Sequence, residues 1–179
     1  MAQYIAEEKS YNALLCPFEE TPRPLPIQDL HVSPLLSTQK YCVQNRRIIM
    51  DLSFPPLFSV NANIQKDIYL ETPFRLTLPT VDDIVHRIVS LGRGCHIFKV
   101  NISRAFRHIK VDPKDYKLLC LKQDKYYLDT CLHFGFRLGT VWFQHIPDVC
   151  RYLMKKNYAC DVINYVEDIV AFSTVSKIS

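Results

Sequence analysis

NYVEDIVAF, residues 164–172, is the stretch from which the fold is read. Tyr165, Val166, Ile169 and Val170 are strand formers on either side of the acidic pair Glu167-Asp168, which predicts two short strands with that pair at the tip of a tight hairpin. Its distant partner is FKVNISRAF, residues 98–106. This run is apolar as far as Asn101 and then turns towards Ala105 and Phe106, as a buried strand does when it delivers one side chain to a site. Set side by side, the hairpin tip and the strand end bring up to three polar side chains together, from Asn101, Glu167 and Asp168. Two-metal phosphoryl transfer requires such a convergence.

Working outward, Thr80 followed by Asp83 makes a capping-box-like start for a helix over 80–90, with Val81, Ile84, Val85, Ile88 and Val89 on one apolar face. Gly92 or Gly94 ends it, and it is expected to pack beneath the strand over 95–101. Residues 107–111, 118–122 and 126–131 read as strands, with turns at Asp112-Pro113 and 123–125. A second helix buries Trp142, Phe143, Ile146, Val149, Cys150 and Leu153. Pro147 falls inside it, where it costs about 3 kcal/mol and predicts a kink or an early break. Residues 31–37 and 46–51 form a two-stranded hairpin. Nine of the eleven prolines lie in 1–79 and all four glycines lie after it. Residues 1–30 therefore read as an irregular, Pro-rich leader.

The 179 residues suffice for an ordinary domain, which buries roughly 70% of its unfolded surface. Apolar residues make up 48% and charged ones 22%, and no apolar run reaches the ~20 residues of a membrane span. No secretory signal is visible at the start, so an intracellular location and no membrane partner are expected. The seven cysteines show no CxxC pair and no zinc spacing, and read as reduced thiols. A net charge of +4 permits nucleic-acid binding without arguing for it.

Seven blocks fall in one order along the chain: HVSPLLS (31–37), RRIIMDLSFP (46–55), SVNANI (59–64), FRLTLPTVDDIV (74–85), LGRGCHIFKVNISRAFRHIKVDPKDYKLL (91–119), YYLDTCLHFGFRLGTVWFQ (126–144) and NYVEDIVAF. Together they resemble the fingers and palm of a reverse transcriptase of the DIRS-like retrotransposons, which integrate with a tyrosine recombinase. The resemblance implies an α+β fold: a polymerase palm with an antiparallel sheet backed by two helices over 80–173, plus a small β fingers subdomain over 31–79. On this resemblance residues 174–179 are expected to be a tail without the family's thumb, and the chain a fragment of the family's polyprotein. It further implies an RNA-directed DNA polymerase acting on an RNA or DNA primer-template and dNTP, with two Mg2+ ions at the catalytic carboxylates.

Residue by residue, the resemblance puts Arg47 at the incoming triphosphate, with Arg46 and Lys40 as neighbouring cations. By composition alone Arg47 is a solvated strand-edge arginine. Ile102, Ala105, Phe106 and Phe134 line the nucleotide site, Phe106 being the residue under the sugar, and Gly135 and Gln144 face the template. Packing residues and a solvated amide are the plainer readings of these positions. At the metal site only Asp168 stands as the family has it; Asn101 and Glu167 stand where the family has aspartates, and His133 where it has proline. Asparagine brings one neutral oxygen, and glutamate moves its carboxylate by about 1.5 Å, where octahedral magnesium tolerates little misplacement. The expected function is thus a reverse transcriptase domain whose catalysis is impaired or lost. Two other readings stay open: a non-catalytic nucleic-acid-binding module using Arg46, Arg47, Arg104 and Arg137, and a decayed retroelement remnant.

Overall fold

The computed structural model describes residues 1–15, 30–39, 46–158 and 160–174, with the side chains of residues 39, 46 and 47 left out. The chain divides into two compact units, Met1–Lys66 with Phe106–Gly139, and Asp67–Ala105 with Thr140–Ser179. The architecture is mixed α and β, with small, mostly antiparallel sheets.

In the first unit the opening residues are not an irregular leader. Residues 2–10 form helix α1 (Ala2–Ser10), and beyond it Leu14 bridges to Asp129 and the Leu15 amide donates to the Leu128 carbonyl at 2.9 Å. The prolines begin only at Pro17, so nothing in the first fifteen residues opposes a helix. Ile5 and Leu14 are buried with Met50, Leu52, Leu119, Leu121 and Tyr127 in one apolar core. The expectation for residues 16–29 lies outside the described residues.

Strand β1 (Val32–Ser33) runs parallel to β7 (Cys120–Lys122), which pairs antiparallel with β8 (Tyr126–Leu128). The expected hairpin is present as β2 (Leu35–Gln39) and β3 (Arg46–Met50), in register from Leu35↔Met50 to Gln39↔Arg46. The strand expected over 107–111 does not form. A 3₁₀ turn occupies Ala105–His108, closed by the Ile109 amide on the Phe106 carbonyl, and Asp112 with Pro113 caps a second one over Pro113–Leu118. Between them, among the described residues, Lys110 alone makes a bridge, to Cys131.

In the second unit a small hairpin, β4 (Ile68–Tyr69) and β5 (Thr72–Pro73), precedes helix α2 (Val81–Leu91). The capping box is complete. Thr80 Oγ1 accepts from the Asp83 amide and Asp83 Oδ2 accepts from the Thr80 amide, while Gly92 ends the helix with φ +76°. The apolar face splits: Ile84, Ile88 and Leu91 are half-buried, but Val81, Val85 and Val89 are exposed.

The sheet of this unit has the order β6 (Cys95–Asn101), β10 (Asp168–Thr174), β9 (Asp161–Tyr165). Among the described residues β6 has one hydrogen-bonded neighbour, β10. It is therefore not the buried strand expected, and Ile97, Phe98 and Val100 on it are 43–49% exposed. Helix α3 (Gly139–Tyr158) lays Cys150 and Met154 on Val162, Ile169 and Ala171, and α2 packs on β10 with Arg87 paired to Asp161 at 2.8 Å. The early break expected at Pro147 does not occur. Buried Phe143 before it and the sheet contacts of Cys150 and Met154 after it hold both halves of the helix, outweighing the lost backbone bond.

Candidate functional site

β9 and β10 meet in a two-residue loop. Tyr165 pairs with Asp168, so Val166 and Glu167 form the tip, and Asp168 is the first residue of its strand rather than part of the tip. Val166 has φ +51°, the sign that the first central residue of a tight hairpin turn demands and that a β-branched side chain resists. Val166→Gly is expected to raise stability by about 1 kcal/mol, read from urea unfolding, because relief of the left-handed backbone outweighs the entropy that glycine adds to the unfolded chain.

The register of β10 on β6 sets Asp168 directly opposite Asn101. Paired residues in an antiparallel sheet share a face, and Ile169 and Ala171, which α3 covers, lie on the other one. The Asn101 amide donates to Asp168 Oδ1 at 2.9 Å, and Lys99 Nζ pairs with Asp168 Oδ2 at 2.8 Å. Lys99, then Asn101, holds the Asp168 carboxyl below its usual value, against a small opposing effect of burial. The Ile102 amide donates to the Glu167 carbonyl at 2.9 Å, tying the turn after β6 to the loop, while the Ile102 side chain packs with the cluster under α3. Ala105 follows, buried, its amide on the Ile102 carbonyl.

Gln144, on α3, donates to Asp148 Oδ1 at 3.3 Å, and so does Asn164 of β9. Asp148 also pairs with Arg151. This polar cluster was not legible in the sequence, because Asn164 joins it from sixteen residues beyond Asp148 and its members share no motif.

The remaining candidates belong to the first unit. Phe106 is buried, and the exposed ring of Phe134 meets it edge-on with centroids 5.2 Å apart. A Cβ on Gly135 would sit 3.2 Å from the Met50 carbonyl, and one on Gly139 3.3 Å from the Phe106 ring, so the close approach at both glycines is to the chain itself. The loop carrying Phe134 is pinned by Asn61. Its amide donates to the Gly135 carbonyl at 2.8 Å and to Ser53 Oγ at 2.9 Å, and accepts from the Arg137 amide at 2.9 Å. Asn61 was visible in the sequence only as a member of the SVNANI block. Arg47 has its backbone in β3 opposite Thr38; its side chain and that of Arg46, like the whole of Lys40, lie outside the described residues.

His133, beside this loop, is buried, and its Nδ1 has no hydrogen-bond partner among the described residues. Burial, then the charge of Arg107, pushes its pKa down to about 4. The unfolded chain therefore binds the extra proton between pH 6.5 and 4, so this contribution to stability is complete above 6.5 and is lost as the pH falls through that window. The difference between the natural chain and His133→Leu is expected to shift by about 2 kcal/mol between pH 7.5 and 5 in urea unfolding, against the natural chain.

Among the described residues no helix is long and apolar enough to cross a membrane, and five cysteines, Cys95, Cys120, Cys131, Cys150 and Cys160, are free thiols. No protein-family model matches the chain, and no curated protein matches it.

Proposed function

We propose that the chain is the fingers and palm of a reverse transcriptase of retrotransposon type, with its polymerase chemistry impaired by Asn101 and Glu167. The observation that carries the reading is the register Asp168↔Asn101. Two motifs 67 residues apart, singled out as partners in one phosphoryl-transfer site, lie opposite each other at one end of one sheet. The order of the elements supports it as well: a β hairpin, a capped helix, the Asn101 strand, a long helix and the acidic hairpin. The partners this reading implies are a primer-template and a deoxynucleoside triphosphate. The test is single-nucleotide primer extension on an RNA template by the natural chain beside the Asn101→Asp, Glu167→Asp double variant. Extension by the natural chain at the variant's rate would remove the claim of impairment.

A second reading is favoured by the pairing of Asp168 with Lys99 and Asn101, which leaves neither oxygen of that carboxylate without a donor. In it the chain is a nucleic-acid-binding module without catalysis. It predicts binding of a primer-template duplex that weakens with salt and is indifferent to magnesium.

A further inference from the structure

We propose that Lys99 is the resident cation of this sheet end and keeps divalent metal ions off Asp168. The proposal rests on the reading that the Asn101–Asp168 end descends from a metal site. Alternation along β6 puts Lys99, two residues before Asn101, on the same face, diagonal to Asp168 across the sheet. Its ammonium and the Asn101 amide each take one oxygen of the Asp168 carboxylate.

A pair of magnesium ions needs several hard, anionic oxygens facing inward. Here one carboxylate faces two N–H donors, and a carboxylate can only accept. Among the described residues no three His, Cys, Asp or Glu side chains gather into a cation site. This donor set does not suit the metal pair that the resemblance implies.

Lys99 adds an active obstacle to that deficit. A divalent ion at Asp168 must displace a tethered ammonium or stand within about 4 Å of it. Because the Lys99 side chain is 59% exposed and that of Asp168 32%, water screens the repulsion and holds the effect to about tenfold in apparent affinity.

Mn2+ is the probe, and water-proton relaxation counts the bound ion. The natural chain is expected to show no saturable binding below about 1 mM, and Lys99→Met to gain one site about tenfold tighter. Lys99→Gln should behave as Lys99→Met, and Lys99→Arg as the natural chain. Cooperative melting of each variant establishes that it folds, as a change on an exposed edge strand should allow.

Adding Asp168→Asn to Lys99→Met must abolish the gained site; a site that survives lies elsewhere and overturns the proposal. Equal Mn2+ binding by the natural chain and Lys99→Met overturns it too, as does absence of binding in both, since exclusion would then come from the lost carboxylates alone. The two claims fail separately. A double variant that extends a primer while Mn2+ binding ignores Lys99 removes only the role of Lys99, and a silent double variant removes the polymerase reading while the Mn2+ comparison stands.

Discussion

Single-nucleotide extension by the Asn101→Asp, Glu167→Asp variant is expected to exceed that of the natural chain by at least about a thousandfold. Groups aimed at charge that develops in a transition state are worth about 3 kcal/mol each when removed singly, and about 5 kcal/mol for two corresponds to several thousandfold in rate. Asn101→Asp supplies a unit of negative charge opposite Asp168, the larger of the two changes. Glu167→Asp keeps the charge and shortens the side chain by one methylene in a two-residue loop whose backbone is already fixed by the Ile102–Glu167 hydrogen bond. Neither position is buried, so the variant should melt within about 1 kcal/mol of the natural chain. If a folded double variant remains silent on RNA and DNA templates, the proposal of a polymerase ancestry for this site loses its chemical support.

What could be read from the sequence depended on how local the cause was. The α2 cap needed only Thr80 and Asp83, three residues apart, and both hydrogen bonds of the box are there. The strand content of 95–101 and 164–172 followed from β-branched and aromatic residues, and the partnership of the two stretches from the resemblance. Whether β6 lay inside or at the edge of its sheet could not follow. Its residues are as apolar as those of a central strand, and only the order of pairing decides which neighbours it has. The same holds for Val81, Val85 and Val89, apolar by pattern and exposed in the fold.

At the site, Asn101 and Asp168 were legible, but Lys99 was not. It becomes evident once the register is known, because alternation then fixes its face. The continuity of α3 through Pro147 was not legible for a related reason. Intrinsic helix cost is local, whereas the packing of Phe143, Cys150 and Met154 that overrides it is not.

Arg107→Met is expected to cost about 3–5 kcal/mol of stability, because it strands two carboxylates in the interior of the first unit. Arg107 Nη1 donates to both oxygens of Asp129, at 2.9 and 2.8 Å, and its Nε and Nη2 reach Glu8 Oε2 at 3.1 and 2.7 Å. The Asp129 side chain is fully buried, that of Glu8 nearly so, and the Cys131 amide adds a third hydrogen bond to Asp129 at 2.9 Å. Burial opposes the charge on Arg107, but Asp129 and Glu8 outweigh it and raise its pKa. Burial likewise pushes the Asp129 carboxyl up, against the opposing pull of the Arg107 charge and of the hydrogen bonds from Arg107 and the Cys131 amide.

Through this cluster helix α1 is tied to a segment about a hundred residues on, so the loss should appear as one cooperative shift in the urea midpoint that includes the signal of α1. Arg107→Lys should recover little, since an ammonium cannot reproduce a fork that serves two carboxylates at once. The decisive comparison is Arg107→Met with Glu8→Gln and Asp129→Leu in one chain. Replacing the whole charged cluster by neutral groups should return most of the stability that the single substitution loses, as expected when the penalty lies in unpaired buried charge rather than in the worth of the pair. If the triple variant is as unstable as Arg107→Met alone, the cluster's contribution is packing of the arginine stem and not charge compensation.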